Sequence, residues 1–244
     1  MKKPLFLLAP LFALLTLAAC NQPAQETSDA AADAEELTSA VMTKADQDSL
    51  TPQAALDDLM AGNVRYMNND LTSRDLPAQV QGIVDGQFPK AVILSCIDSR
   101  VPVEMVFDQG VGDVFVARVA GNVEDEDVLG SIEYAVGVAG SKVVMVLGHE
   151  ACGAVKSAVD QLDVGSENVT HLLGQVEPAI ANTEGERDAS DKKYLSDVIH
   201  TNVEMTLDDI RSRSAIVRQL EEEGKIKLVD GYYSLHDGSV TLMD

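Results

Sequence analysis

Two short apolar runs, each delivering a soft metal-binding side chain at its end, constrain this chain more than anything else in it. Ala91-Val92-Ile93-Leu94-Ser95 leads directly into Cys96. Val143-Val144-Met145-Val146-Leu147-Gly148 leads into His149-Glu150-Ala151-Cys152-Gly153. Runs of this length, rich in β-branched residues and without polar alternation, read as strands buried on both faces. Such strands belong to a parallel sheet, whose neighbours must be joined by crossover connections, usually helices. Open α/β sheets bind ligands beyond the carboxyl ends of their strands. Cys96, Asp98, Arg100, His149 and Cys152 are therefore expected together at one sheet edge.

The rest of the chain fits that plan. Thr51-Pro52 reads as a helix start, with Thr51 as cap and Pro52 in the first turn. Ala55, Leu56, Leu59, Met60 and Val64 then recur at helical spacing to about Tyr66. Residues 68–89 read as irregular, and Val103 to Phe107 as a short helix. Asp113 to Val119 is a further strand, stopped by Gly121-Asn122. Asp127 to Ala139 reads as a helix with Val128, Ile132, Ala135 and Val136 on one face. Helices are expected at 153–162, at 168–182 and at 192–223, the last broken near Arg213. Residues 225–233 and 239–243 read as a terminal hairpin turning at Asp237-Gly238. The expectation is an α/β fold, a mainly parallel central sheet flanked by helices, over residues 51–244.

The N-terminal region is of another kind. Lys2 and Lys3 precede an apolar stretch, Leu5 to Leu17, too short to span a bilayer comfortably. Leu17-Ala18-Ala19-Cys20 then places small residues before a cysteine, resembling the lipobox of bacterial lipoproteins. Residues 1–19 thus read as a signal peptide and Cys20 as a lipidation site, giving a periplasmic protein anchored to a membrane. Asn21 in place of an aspartate makes the outer membrane the default. Residues 20–50 carry seven acids against one lysine and no aromatics, and read as a disordered acidic tether. The whole chain has 40 acids, 18 bases and a formal charge of −22. Such a surface repels nucleic acid and anionic lipid, so neither is expected as a partner.

With Cys20 lipidated, an exported chain keeps two thiols, Cys96 and Cys152. In an oxidising compartment they either pair as a disulfide or are protected by a metal. Cys96, His149 and Cys152 are donor types that zinc prefers, and His149-x-x-Cys152 on a tight loop lets both face one ion. The surrounding motifs come in a fixed order: Cys96-x-Asp98-Ser99-Arg100, Gly112-Asp113-x-Phe115-Val116-x-Arg118, Ala120-Gly121-Asn122, Ser131-Ile132-Glu133-Tyr134-Ala135 and Gly148-His149-x-x-Cys152-Gly153. Together they resemble the beta-class carbonic anhydrases from about Thr51 to Met243.

The resemblance implies zinc (Zn2+) held by Cys96, His149 and Cys152, an Asp98–Arg100 catalytic dyad, and assembly as dimers or multiples of dimers. The reaction it implies is reversible hydration of carbon dioxide to bicarbonate. Three protein ligands leave a fourth position for water, as catalytic rather than structural sites do. Arg100, two residues from Asp98, can clamp its carboxylate bidentately and keep it ionised and off the metal. Gln87 matches a position from which a plant-like branch of the family donates to substrate, often across the dimer. Gly121 is read as letting backbone approach the site. The family usually has Asn at position 119 and Ser or Ala at 97. Val119 and Ile97 are read as packing variants around the site. His171, His200 and His236 are expected to pack or face solvent, with no proton shuttle evident. The acids of 124–127 and 221–223 are expected on solvated faces, and Tyr134 and Phe107 in the core. Two rivals share some features: a same-fold hydrolase of carbonyl sulfide or carbon disulfide, and a zinc-storage or thiol-redox protein.

Overall fold

The computed structural model describes residues 37–243. The expected strands form one five-stranded sheet: β1 (Ala91–Ser95), β2 (Val114–Arg118), β3 (Val143–His149), β4 (Lys227–Tyr233) and β5 (Val240–Leu242), in the order β2-β1-β3-β4-β5. β1 runs parallel to β2 and β3, and β3 parallel to β4; only β5 is antiparallel, closing the expected hairpin. Every residue of β1 and β3 is buried, as their unbroken apolar runs require. β2 is partly exposed because it pairs with β1 alone and forms an edge. The register sets Ser95 opposite both Arg118 and Leu147. One step further along, Cys96 therefore emerges beside the ends of both neighbouring strands.

Ten α-helices cover the sheet among the described residues. They are α1 (Lys44–Ser49), α2 (Pro52–Met67), α3 (Leu76–Gly82), α4 (Val103–Val106), α5 (Glu126–Gly137), α6 (Gly153–Val159), α7 (Glu167–Gly174), α8 (Glu177–Asn182), α9 (Lys192–Arg213) and α10 (Ala215–Glu222). Alternation along β1 sends Ile93 to one face and Val92 and Leu94 to the other. Ile93 packs with Ala55, Leu56 and Leu59 of α2 and with Phe107. Val92 and Leu94 pack with Ile132 of α5 and with Val203 and Ile210 of α9. Ile93 and Leu94 are fully buried, and each such side chain contributes about 1.5–3 kcal/mol. A third cluster joins Cys96 and Cys152 to Val155, Val176, Val198 and Ile199 beyond the carboxyl ends of the strands.

Several expectations need correction. The tether does not run to residue 50. Thr38 bridges to Arg74, and α1 carries a capping box between Thr43 and Asp46. The cause is Gln47, only 1% exposed, whose Nε2 donates to the carbonyls of Pro89 and Ala139, both at 2.9 Å. Such bonds fix a segment whose composition alone reads as tether. The signal peptide, Cys20 and the tether from 20 to 36 lie outside the described residues. Residues 68–89 are not wholly irregular: Asp75 caps α3 by accepting from Ala78 N. The single helix expected at 168–182 is two, because Pro178 in the first turn of α8 lacks the N–H needed to continue α7. The break expected near Arg213 falls at Ser214, whose hydroxyl caps α10 by accepting from Val217 N. Val64 is half exposed rather than buried, and Tyr134 is 55% exposed rather than core, whereas Phe107 is fully buried. Among the described residues no helix is long and apolar enough to cross a membrane.

Candidate metal centre

Three buried ligand atoms converge where β1 and β3 end. Cys96 follows β1 directly, His149 is the last residue of β3, and Cys152 is the residue before α6. Their donor atoms all lie within 4.8 Å of one another. Ala151 turns the intervening loop with φ at +52°, which brings Cys152 back beside His149. Glu150 N donates to Tyr233 O at 2.8 Å, tying that loop to β4.

The donors fit a metal ion. Both cysteines are free, with sulfurs 3.9 Å apart. Tetrahedral zinc with Zn–S bonds of about 2.3 Å sets two sulfurs about 3.8 Å apart. His149 is fully buried, and its Nδ1 lies 2.9 Å from Glu150 O. That bond fixes Nδ1 as the donor and leaves Nε2 bearing a lone pair. Nε2 has no hydrogen-bond partner although it is buried. A buried acceptor left bare costs about 1–3 kcal/mol, and a metal ion removes that cost. One sulfur, Cys96, is prepared as well. The Cys152 sulfur at 3.9 Å, together with the Gly121 N–H, holds the Cys96 thiol well below the ordinary range. Cys152 is driven the other way, by Cys96 and then by burial.

Asp98 and Arg100 stand at the mouth of this cluster. The Arg100 guanidinium donates from Nε to Oδ1 at 2.9 Å and from Nη2 to Oδ2 at 2.7 Å, and Arg100 N also reaches Oδ1 at 2.9 Å. This fork holds the Asp98 carboxyl well below the usual carboxylate range. Oδ2 also lies 3.9 Å from His149 Nε2, within reach of a group bound to the metal. Arg118 supports the dyad from below, donating to the carbonyls of Cys96 at 2.8 Å and Asp98 at 2.6 Å.

Gly121 lies beside Cys96: its N–H donates to Cys96 Sγ at 3.4 Å, with φ at +78°. Gln87 is not at this site. It is exposed and precedes β1, whereas Cys96 follows it, and the five residues of β1 alone carry the chain about 16 Å. Ile97 is 61% exposed, so it packs nothing around its own site, while Val119 does pack. Glu124 is not on a solvated face: it is 7% exposed and paired with Arg213. Glu221 pairs with Arg211. His200 packs edge-on against Tyr232 at 4.5 Å. Sequence reasoning missed Arg118's support and Asn202, a buried α9 residue whose Nδ2 donates to Gly121 O at 2.9 Å. The signal for Asn202 was present: one amide inside the apolar stripe Val198, Ile199, Val203.

Fold and site together define an α/β protein with a buried Cys/His/Cys donor set that could hold a metal ion at the carboxyl ends of its strands. The sequence matches the carbonic anhydrase family over residues 91–240. It is 37% identical over 200 residues to carbonic anhydrase 2 of Mycobacterium tuberculosis, covering 79% of this chain and 93% of that protein. It is 38% identical over 195 residues to a carbonic anhydrase of Mycolicibacterium smegmatis, covering 78% and 93%. Among solved structures, a tetrameric beta-carbonic anhydrase from Sordaria macrospora superposes with a TM-score of 0.62 at 22% identity, covering 78% of this chain and 94% of that one. The chain belongs to the beta-class carbonic anhydrases, lyases that interconvert carbon dioxide and bicarbonate.

Proposed function

We propose that Cys96, His149 and Cys152 hold zinc, that Asp98 and Arg100 work beside it, and that the enzyme acts as a lipid-anchored periplasmic dimer. The observation that carries the metal reading is the buried, unpartnered Nε2 of His149 beside two free thiols. When bound, zinc would supply a nucleophile at neutral pH by lowering the pKa of water to about 7, a general property of carbonic anhydrase chemistry.

The protein's part is orientation. Ionised Asp98 is an acceptor only, so it accepts a hydrogen bond from the nucleophile and points the remaining lone pair at carbon dioxide. Arg100 keeps that carboxylate charged and stops it turning onto the metal. The buried Cys96, Val123 and Val155 close the inner side of the site to water.

Support for the dimer comes from what one chain leaves open. β2 is an unpaired edge, and Ile97, Met105 and Leu76 are each more than half exposed. Gln87, too far to reach its own site, is assigned to the partner's. The anchor rests on Lys2, Lys3, the apolar stretch and the Leu17–Cys20 lipobox, with the outer membrane as its location.

Stopped-flow hydration of carbon dioxide with metal analysis of the same sample tests the assignment. One zinc per chain and hydration activity are expected, both lost together in Cys152→Ser because ligand and folding energies are linked. Full activity without metal, or faster turnover of carbonyl sulfide than of carbon dioxide, would overturn it.

A further inference from the structure

We infer that Asn202 is a positioning residue for the metal centre: by pinning the Gly121 carbonyl, it aims the Gly121 N–H at Cys96 Sγ. The inference rests on the reading of Cys96 as a metal ligand. Gly121 is buried, with φ at +78° and ψ at +9°, between Ala120, which follows Val119 in extended backbone, and Asn122, itself at φ +46°. A glycine there has access to more conformations than any other residue, so something outside it must select this one. Its two polar groups face opposite ways: N–H to Cys96 Sγ at 3.4 Å, and C=O to Asn202 Nδ2 at 2.9 Å. The two groups belong to different peptide units. Asn202 therefore does not polarise the N–H electronically. It fixes the glycine's orientation, and the N–H follows.

The placement favours this role over simple helix docking. Asn202 is 3% exposed, on the buried face of α9 between Ile199 and Val203, where an apolar residue would pack at no desolvation cost. Burying an amide there makes sense for the bond it forms, and that bond ends on the same glycine whose N–H reaches Cys96 Sγ. A hydrogen bond to a thiolate withdraws charge from sulfur. The sulfur then gives less charge to the metal, which stays a stronger Lewis acid. Two thiolates on one zinc make that correction valuable, and groups behind metal ligands commonly change affinity or activity about 10- to 100-fold.

Cobalt(II) exchanged into the full-length enzyme reads the sulfur directly through its thiolate-to-metal charge-transfer absorption. Asn202→Leu keeps the branched outline of the side chain and removes the donor. Asn202→Ser is a milder change whose hydroxyl is too short to span the gap, and it decides the matter if Asn202→Leu fails to fold. In both, the charge-transfer band is expected to move to longer wavelength, because an unbonded thiolate gives up charge more easily. Thr206→Val, one turn along α9 and equally buried, is expected to leave the band in place whatever it does to melting. A band at the wild-type position in a folded Asn202 variant overturns the inference and makes Asn202 a helix-docking residue only. Absence of any thiolate band in the wild-type cobalt protein would instead overturn the metal reading on which the inference stands.

Discussion

Arg100 gives three hydrogen bonds to one carboxylate while itself standing 54% exposed, an arrangement that serves direction more than stability. Exposed ion pairs contribute about 0–1 kcal/mol, so Arg100→Ala should leave melting near wild type. Its effect is expected on chemistry: hydration falls on the order of 100-fold, the usual consequence of a misplaced reacting group. Without the guanidinium, Asp98 loses the largest of the interactions that hold its carboxyl low and is free to turn toward the metal from a distance of 3.9 Å to His149 Nε2. The variant should retain zinc, with metal spectroscopy showing a carboxylate where wild type has water. Near-wild-type activity, or loss of zinc, would show that Arg100 only packs the loop. Much of this site was legible in the sequence, because Cys96, Asp98, Arg100, His149 and Cys152 sit at the ends of strands whose pattern is unambiguous. Arg118 and Asn202 were not assigned, because each acts on backbone carbonyls: the lone amide in α9's apolar stripe marks Asn202 as unusual without saying which carbonyl it holds. That Gln87 lies away from its own chain's centre was not legible, since nine residues of sequence separation conceal a full strand length.

At the scale of elements, the joints between helices rest on a few buried polar side chains. Asp108, just after α4, has a side chain with no exposed area and accepts from Arg65 of α2, from Arg74 and from both the backbone and hydroxyl of Thr72. Burial pushes its pKa up, but the bonds from Arg74, Thr72 and Arg65 prevail and hold it at about 2, below the ordinary 3.8. A carboxyl depressed in the fold contributes stability that is complete above the unfolded pKa. That contribution is lost as pH falls from about 4 through about 2. Asp108 has φ at +47°, a conformation asparagine adopts equally well, so Asp108→Asn removes the charge and spares the backbone. It should cost about 3 kcal/mol at neutral pH, the lower end for breaking a buried pair because Arg65 is 34% exposed. Denaturant unfolding at several pH values checks this: the gap between wild type and variant should narrow between pH 4 and 2. A gap that stays constant would mean the aspartate's shape, and not its charge, ties the joint. The sheet and its crossover helices were legible because period and length agree in every one. The helix α3, the α7–α8 break and the ordered 37–50 segment were not. Each depends on one capping or buried polar side chain, against a composition that reads as loop or tether.

For the whole molecule, the questions concern what lies beyond one catalytic domain. The chain's formal charge of −22 disfavours anionic surfaces, so the proposed membrane attachment rests on lipidation of Cys20. Cys20→Ser is expected to move the protein into the soluble envelope fraction with hydration activity intact, and a variant that stays on membranes in high salt would place the anchor elsewhere. Assembly is the deeper matter, because the polar end of β1 that carries Gln87 and the metal end that carries Cys96 cannot meet within one chain. If Gln87 serves the partner's centre, two different defects should complement. Gln87→Ala lacks the donor but keeps a sound metal centre, and Asp98→Asn lacks the acceptor but still offers Gln87. Each homodimer should be impaired in hydration. Unfolding and refolding an equal mixture makes half the dimers mixed. Within each mixed dimer one of the two sites then pairs a sound centre with a partner's Gln87, so activity should recover to about a quarter of wild type by the statistics of a symmetric dimer. Recovery would hold the donor and the metal in different chains. A mixture no better than the average of its parents, with mixed dimers verified by mass, would mean that Gln87 serves no site across the interface.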